Sequence, residues 1–297
     1  MSDSYAMTLS YDILQNADKA QVRMDPFPHI VIDDALPAEL YERLSASYPD
    51  PEDMLPERKA ENNKRFNLLS RWGATEFDYD GASPDWQKFV EANESTAFVE
   101  RVFALFPDHT REEDGERRID VERFGPDLPA AIKTGDTVGF DEMVPRVTVA
   151  VNTPVKSSNA VRGPHTDNRR KAYVGLLYFR LPEDDSTGGD LEIYRWKNGE
   201  VKTHWPVKAD AGDVELVETL RYKPNRLIFF LTNDRALHGV SPRSVTPYWR
   251  RLVVISGWFP GVDYSDTDTM HGRLAGFKSL LKGTLRRALG KERVTAG

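Results

Sequence analysis

Hydrophobic positions recur with two different periods along this chain, and the change of period divides it. Near the start, Pro26-Phe27-Pro28-His29-Ile30-Val31-Ile32-Asp33-Asp34 is a short β-branched run between prolines and acids, which predicts a strand. Leu36, Leu40 and Leu44 then share one helical face, with Pro37 suited to a first turn, so an amphipathic helix should end near Tyr48-Pro49. Helical spacing returns from Pro84 to Phe106, where Trp86, Phe89, Val90, Phe98, Val99, Val102 and Phe103 recur on one side. Ser83 supplies the cap, Pro84 the first-turn proline and Asp85 an acid at the positive end of the dipole. Those aromatics read as core.

From Pro145 the period becomes two. Pro145–Asn152 alternates as a half-buried strand should, and Ala172–Leu181, Leu191–Tyr194, Val214–Val217, Leu227–Leu231 and Leu252–Phe259 are strand-like too. Many short strands with turns between them predict an antiparallel sandwich or jelly roll, with the helices mainly in the first 110 residues. The expected class is α+β, mainly β, with an N-terminal helical layer. Residues 1–24 are polar and read as a loose terminus, 25–263 as one domain with its core at about 144–260, and 264–297 as a tail. In that tail Leu274, Phe277, Leu281 and Leu285 alternate with Lys278, Lys282, Arg286 and Arg287, a basic amphipathic helix better read as docked on protein than on a membrane. Residues 50–82 are polar, and Asn62–Asn67 reads as a solvated loop in preference to a substrate-facing one. The charged, Gly/Pro-punctuated stretch 108–143 is either an active-site lid or an insertion.

Composition narrows the function. The formal net charge of −7 over 297 residues argues against a general nucleic-acid binder, which needs a basic face. The absence of cysteine excludes disulfides, thiolate metal sites and cysteine nucleophiles, and fits a reducing cytoplasm. The N-terminus lacks a basic segment followed by an apolar one, so no signal peptide is read, and no apolar run is long enough to span a membrane. No serine–histidine–acid signature or glycine-rich phosphate loop appears. The acidic pairs Glu112/Glu113 and Asp141/Glu142 lie in polar contexts that give no support to a glycosidase.

The chemistry gathers at Pro164-His165-Thr166-Asp167 and at Leu237-His238-Gly239-Val240. His165 and Asp167 are expected to end a loop and open a strand, where alternation puts both on one face. Strands and tight turns in between would return His238 to them. Two imidazoles and a carboxylate on one face, with other positions open, are the donor pattern of non-haem Fe(II) sites. Of the remaining histidines, His29 reads as structural, His109 and His271 as surface, and His204, beside Trp205-Pro206, as loop packing. Arg243 reads as part of a solvated turn in preference to a substrate contact.

A series of motifs follows in order: His-x-Asp, the aromatic strand Tyr173–Phe179, Gly188-Gly189-Asp190-Leu191-Glu192-Ile193-Tyr194, His238-Gly239-Val240, and an arginine strand ending Gly257-Trp258-Phe259. Over roughly 144–260 this ordered set resembles the Fe(II)/2-oxoglutarate-dependent dioxygenases, in particular the prolyl-hydroxylase-like branch. The resemblance implies a double-stranded β-helix (jelly-roll) core with His165, Asp167 and His238 as iron ligands. It implies Fe(II), 2-oxoglutarate as co-substrate and O2 as oxidant, allows ascorbate, and points to hydroxylation with release of succinate and CO2. It also implies an arginine about ten residues beyond the distal histidine for the co-substrate's remote carboxylate; here Arg250 and Arg251 follow at 12 and 13. If Trp258 points inward, alternation favours Arg250 over Arg251, and a bulge at Ser256-Gly257 would reverse that. Tyr178 or Tyr173 could add a hydroxyl to the same carboxylate. Asp167 disfavours a halogenase, in which the resemblance implies that this carboxylate is replaced. The substrate, amino-acid, peptidyl or small-molecule, is not legible. A homodimer is compatible with the chain, and the alternative reading is a non-catalytic metal-binding sensor or binding module.

Overall fold

The structure, a computed structural model, describes residues 10–72, 75, 79–124, 137–201 and 208–261. The expected tail helix, His204 and His271 lie outside these residues. The helices are α1 (Ala38–Ala46), the single turn α2 (Pro51–Met54), α3 (Pro84–Asn93) and α4 (Thr96–Leu105). The strands are β1 (His29–Ile32), β2 (Arg65–Leu69), β3 (Thr110–Glu113), β4 (Glu116–Asp120), β5 (Thr137–Val138), β6 (Val144–Asn152), β7 (Lys171–Tyr178), β8 (Leu191–Trp196), β9 (Val214–Leu220), β10 (Leu227–Leu231), β11 (His238–Val240) and β12 (Arg250–Trp258). Strand is the commonest regular element of the described residues, and the strands pair antiparallel throughout. Among the described residues no helix is long and apolar enough to cross a membrane.

Six strands form one sheet in the order β1-β10-β7-β12-β6-β2, and three form a second in the order β11-β8-β9. Alternation sorts the large sheet's side chains onto two faces. Val147, Val149, Val151, Tyr173, Leu177, Phe229, Val253 and Ile255 share one core with Leu40 and Leu44 of α1, Trp86 and Phe89 of α3, and Phe98 and Val102 of α4. The opposite face, with Ala150, Val174, Tyr178, Ile228, Phe230, Leu252 and Val254, meets Leu191, Ile193 and Leu220 from the smaller sheet. Burial on both faces explains why β10 and most of β12 are apolar without a clean polar alternate.

Local chemistry sets the helix limits. Ser83 Oγ accepts from the Trp86 N–H, and Pro84 occupies the first position of α3. The predicted helix over 84–106 is broken at Glu94-Ser95, because Ser95 caps α4 through the Phe98 N–H at 3.1 Å. Glu94 leaves the helix to accept from the Val147 N–H of β6 at 2.8 Å. Of the expected loop at Asn62–Asn67, only residues 62–64 precede β2; Arg65, Phe66 and Asn67 belong to that strand, an edge of the large sheet. Within 108–143, β3, β4 and β5 form a small sheet of their own. Ile119, Val121, Phe124 and Val138 of that region enter the helix-facing core. His109 was expected at the surface and is 7% exposed. Its ring meets the Phe124 ring edge-on at 5.2 Å, since the packed aromatics on either side outweigh its polar sequence neighbours.

Candidate metal centre

The triad sits between the two sheets, and backbone hydrogen bonds place it. His165 and His238 face each other as an antiparallel bridge, each N–H donating to the other's carbonyl at 2.9 Å. Such a pair brings side chains close on one face, and the two rings lie 4.3 Å apart, centroid to centroid. Phe230 packs under His238 at 4.8 Å from the six-stranded sheet. His165 makes an isolated bridge and the next strand starts only at Lys171, so the expected strand opening at His165 is corrected to an irregular segment. A short bridge suffices because its partner, His238, opens β11 of the smaller sheet.

The two imidazoles are held in one protonation pattern. His165 Nδ1 lies 2.8 Å from the Gly163 carbonyl and His238 Nδ1 lies 3.0 Å from the Ala236 carbonyl. A carbonyl can only accept, so each Nδ1 carries the proton and each Nε2 keeps its lone pair. His238 Nε2 is 3.7 Å from Asp167 Oδ2, and one ligand atom from each of His165, Asp167 and His238 lies within 4.8 Å of the others. Burial, reinforced by the neighbouring His238, lowers the His165 pKa to about 2 against the pull of Asp167. Burial likewise lowers His238. For Asp167, burial works toward protonation, but Lys171, the two histidines and Arg162 outweigh it and hold the carboxyl well below its usual range. Lys171 Nζ and Arg162 Nη1 stand 3.6 and 3.9 Å from Asp167 Oδ1. At neutral pH the cluster is two neutral imidazoles and one carboxylate, which fits a divalent ion with no proton to displace. Both carbonyl-held Nδ1 atoms serve as the outer support that metal-binding histidines use.

Arg250 faces the same interior. It is 3% exposed, with its Cζ 5.0 Å from the Tyr178 ring centre and 4.8 Å from that of Tyr222. Its Nε and Nη2 donate to the Gly189 carbonyl at 3.1 and 2.8 Å. The Gly188-Gly189 pair makes this approach feasible: both have positive φ, and a Cβ on Gly188 would come within 1.9 Å of the Pro242 carbonyl oxygen. The register shift in β12 falls between Gly257 and Trp258 and leaves the Arg250 alternation intact. Two expectations are corrected by that same alternation. Arg251 points to the helix side, its Cζ 5.1 Å from the Tyr48 ring centre. Tyr173 also lies in the helix-facing core, stacked on Phe229 and lying over Gly257, where a Cβ would come within 2.1 Å of its ring. Tyr178 is in the inter-sheet core, and its hydroxyl is buried without a hydrogen bond of good geometry among the described residues.

Arg243 departs furthest from expectation. In place of a solvated turn it is fully buried, pairing with Asp184 at 2.7 Å where neither side chain is exposed. It also donates from Nε to Ser186 Oγ at 2.9 Å and from Nη1 to the Tyr248 carbonyl at 3.2 Å. The Gly188-Gly189 turn lies against it. Arg65 of β2 is a further residue the sequence pattern passed over. Its signal was the Arg65-Phe66-Asn67-Leu68 alternation, hidden behind the turn-forming Asn62-Asn63.

No family model matches the chain, and no curated protein matches it. Solved structures with a similar chain course include a prolyl 4-hydroxylase from Phytophthora capsici, 16% identical, with 92% of this chain and 78% of that chain covered and a TM-score of 0.45. A prolyl hydroxylase from Trichoplax adhaerens, in complex with a peptide fragment of the hypoxia inducible factor oxygen degradation domain, is 14% identical over 84% of this chain and 90% of its own, with a TM-score of 0.44. An Fe(II)/α-ketoglutarate-dependent dioxygenase is 15% identical over 81% and 86%, with a TM-score of 0.40.

Proposed function

We propose that this chain is an Fe(II)- and 2-oxoglutarate-dependent dioxygenase that hydroxylates an amino-acid, peptidyl or small-molecule substrate. The observation that carries the reading is the donor set of His165, Asp167 and His238, three ligand atoms within 4.8 Å of one another. Its protonation pattern is already the one a metal requires, and its type is that of the facial triad. We read the two facing sheets as a double-stranded β-helix whose interior holds this set. Bound there, iron with 2-oxoglutarate supplies oxidation of the substrate by O2, with conversion of the co-substrate to succinate and CO2.

The chain's own share is positioning. Arg250 takes the remote carboxylate of 2-oxoglutarate: its fork is oriented by the Gly189 carbonyl and packs against both the Tyr178 and Tyr222 rings. The buried Tyr178 hydroxyl stands beside that fork as a second donor. Lys171 and Arg162 keep Asp167 ionised. The buried rings of Phe230 and Tyr222 exclude water around these groups. The experiment is succinate formation from 2-oxoglutarate, with Fe(II) and air, by wild type and by Asp167→Ala. Succinate formed by the wild type alone supports the reading. Equal rates in both, or none in an iron-loaded wild type, contradict it.

A further inference from the structure

Strand β2 brings a cation into the site from an edge that the motifs do not include. Arg65 lies directly opposite Asn152 on β6, and Asn152 lies directly opposite Arg250 on β12. Opposed residues of antiparallel neighbours project to the same face, with β-carbons about 5 Å apart. Arg250 identifies that face as the inter-sheet interior, since it alternates with Leu252 and Val254 there. The three side chains thus form one rung across three strands.

Among the described residues, each outer member of the rung lacks a hydrogen-bonded acid, and the middle one lacks an acceptor. Asn152 is 1% exposed and its side-chain Nδ2 has no hydrogen-bond partner among the described residues. The Arg65 side chain makes no hydrogen bond or ion pair among the described residues. It is solvent-exposed, yet crowding by protein and then the Arg250 cation lower its pKa to about 10, against Asp167. Exposure and crowding together describe a guanidinium lining a wet concavity, with Arg250 and the triad within electrostatic reach. Other acids nearby are engaged: Asp184 by Arg243, and Asp190 by the Tyr222 N–H at 2.7 Å. Two like charges and an idle amide donor facing one space are stabilised by an anion between them, and the guanidinium fork matches a carboxylate.

We propose that Arg65, Asn152 and Arg250 form one carboxylate-binding rung, with Arg65 the arm supplied by β2. The carboxylate comes from the remote end of 2-oxoglutarate or from an acid group of the substrate, and only this choice of source rests on the dioxygenase reading. The rung itself does not need the metal.

The probe is glutarate, added to metal-free full-length protein at matched ionic strength, with thermal unfolding as readout. Wild type should be stabilised by glutarate beyond sodium chloride. Arg65→Gln and Asn152→Asp should weaken glutarate binding at least tenfold, and Arg65→Lys should keep part of it. No stabilisation of the wild type, or equal stabilisation in Arg65→Gln, overturns the rung. Repeating the titration without oxygen at saturating Fe(II) and 2-oxoglutarate separates the sources. A glutarate effect that disappears assigns the rung to the co-substrate; one that persists and still needs Arg65 assigns it to the substrate's acid. An intact glutarate effect in protein that never binds 2-oxoglutarate with iron would sink the dioxygenase reading and leave the rung standing.

Discussion

Replacing Arg243 with methionine should be among the most damaging single changes to this protein, although the residue touches none of the triad. The variant loses three donated hydrogen bonds, to Asp184 Oδ2, Ser186 Oγ and the Tyr248 carbonyl. Asp184 keeps the Ser186 N–H and hydroxyl on Oδ1, at 3.1 and 2.6 Å, but Oδ2 is left buried with its cation removed. Breaking a buried pair from one side costs about 3–5 kcal/mol, mostly the penalty of the stranded charge. An exposed pair such as Arg23–Glu218 should contribute under about 1 kcal/mol. For a domain of this size the Arg243→Met loss corresponds to a fall in Tm of roughly 10 °C. The assay is urea unfolding at pH 7 of wild type, Arg243→Met, Asp184→Leu and the double variant. The double variant should cost well under the sum of the singles, because it strands no charge. A cost under about 1 kcal/mol for Arg243→Met with an unchanged m-value, or strict additivity in the double variant, would refute the argument.

Asp167→Ala should abolish Fe(II) binding, followed by calorimetry with Fe(II) under argon, while leaving the fold intact by circular dichroism; retained affinity would remove Asp167 from the ligand set. Tyr178→Phe should weaken 2-oxoglutarate binding about tenfold through loss of one hydrogen bond to a charged group, whereas Tyr173→Phe, on the other face of the sheet, should leave it unchanged; the reverse pattern in anaerobic titrations would contradict the assignment of faces. His109 makes stability depend on pH. Its folded pKa of about 4 lies below the unfolded value near 6.5, so the unfolded chain takes up the proton first. Its contribution is complete above pH 6.5 and is lost as pH falls toward 4, about 3 kcal/mol in all; His109→Gln should flatten that part of the urea-derived stability profile, and an unaltered slope would show that His109 does not cause it.

The antiparallel strands were legible because alternation is itself the record of a two-faced sheet. The run 145–152 needed only one added residue to become β6. The hairpin of β3 and β4 was not, because its strands carry charge at most positions and lack an apolar stripe. Its one readable signal is Asp114-Gly115, where both residues take positive φ as a tight hairpin turn requires. The triad residues were legible by type and order, while their mutual approach depends on a backbone bridge between His165 and His238 that local pattern does not encode. Arg251 and Tyr173 entered the candidate site because neighbouring positions look alike until the sheet's faces are known. Arg243 escaped notice for a similar reason: its acid lies 59 residues earlier, and only the fold closes the pair.

The measurement that tests the central claim most directly is an anaerobic titration of the protein with Fe(II) and 2-oxoglutarate, followed by visible absorption. Chelation of the keto acid by iron held at His165, Asp167 and His238 predicts a saturable charge-transfer band. The band should be absent in Asp167→Ala, weakened in affinity about 100-fold in Arg250→Gln by loss of the bidentate pair, and unchanged in Arg251→Gln, whose side chain lies over Tyr48. A folded, iron-loaded wild type that gives no band would contradict the account and move the assignment to a metal-bound module without oxygenase chemistry.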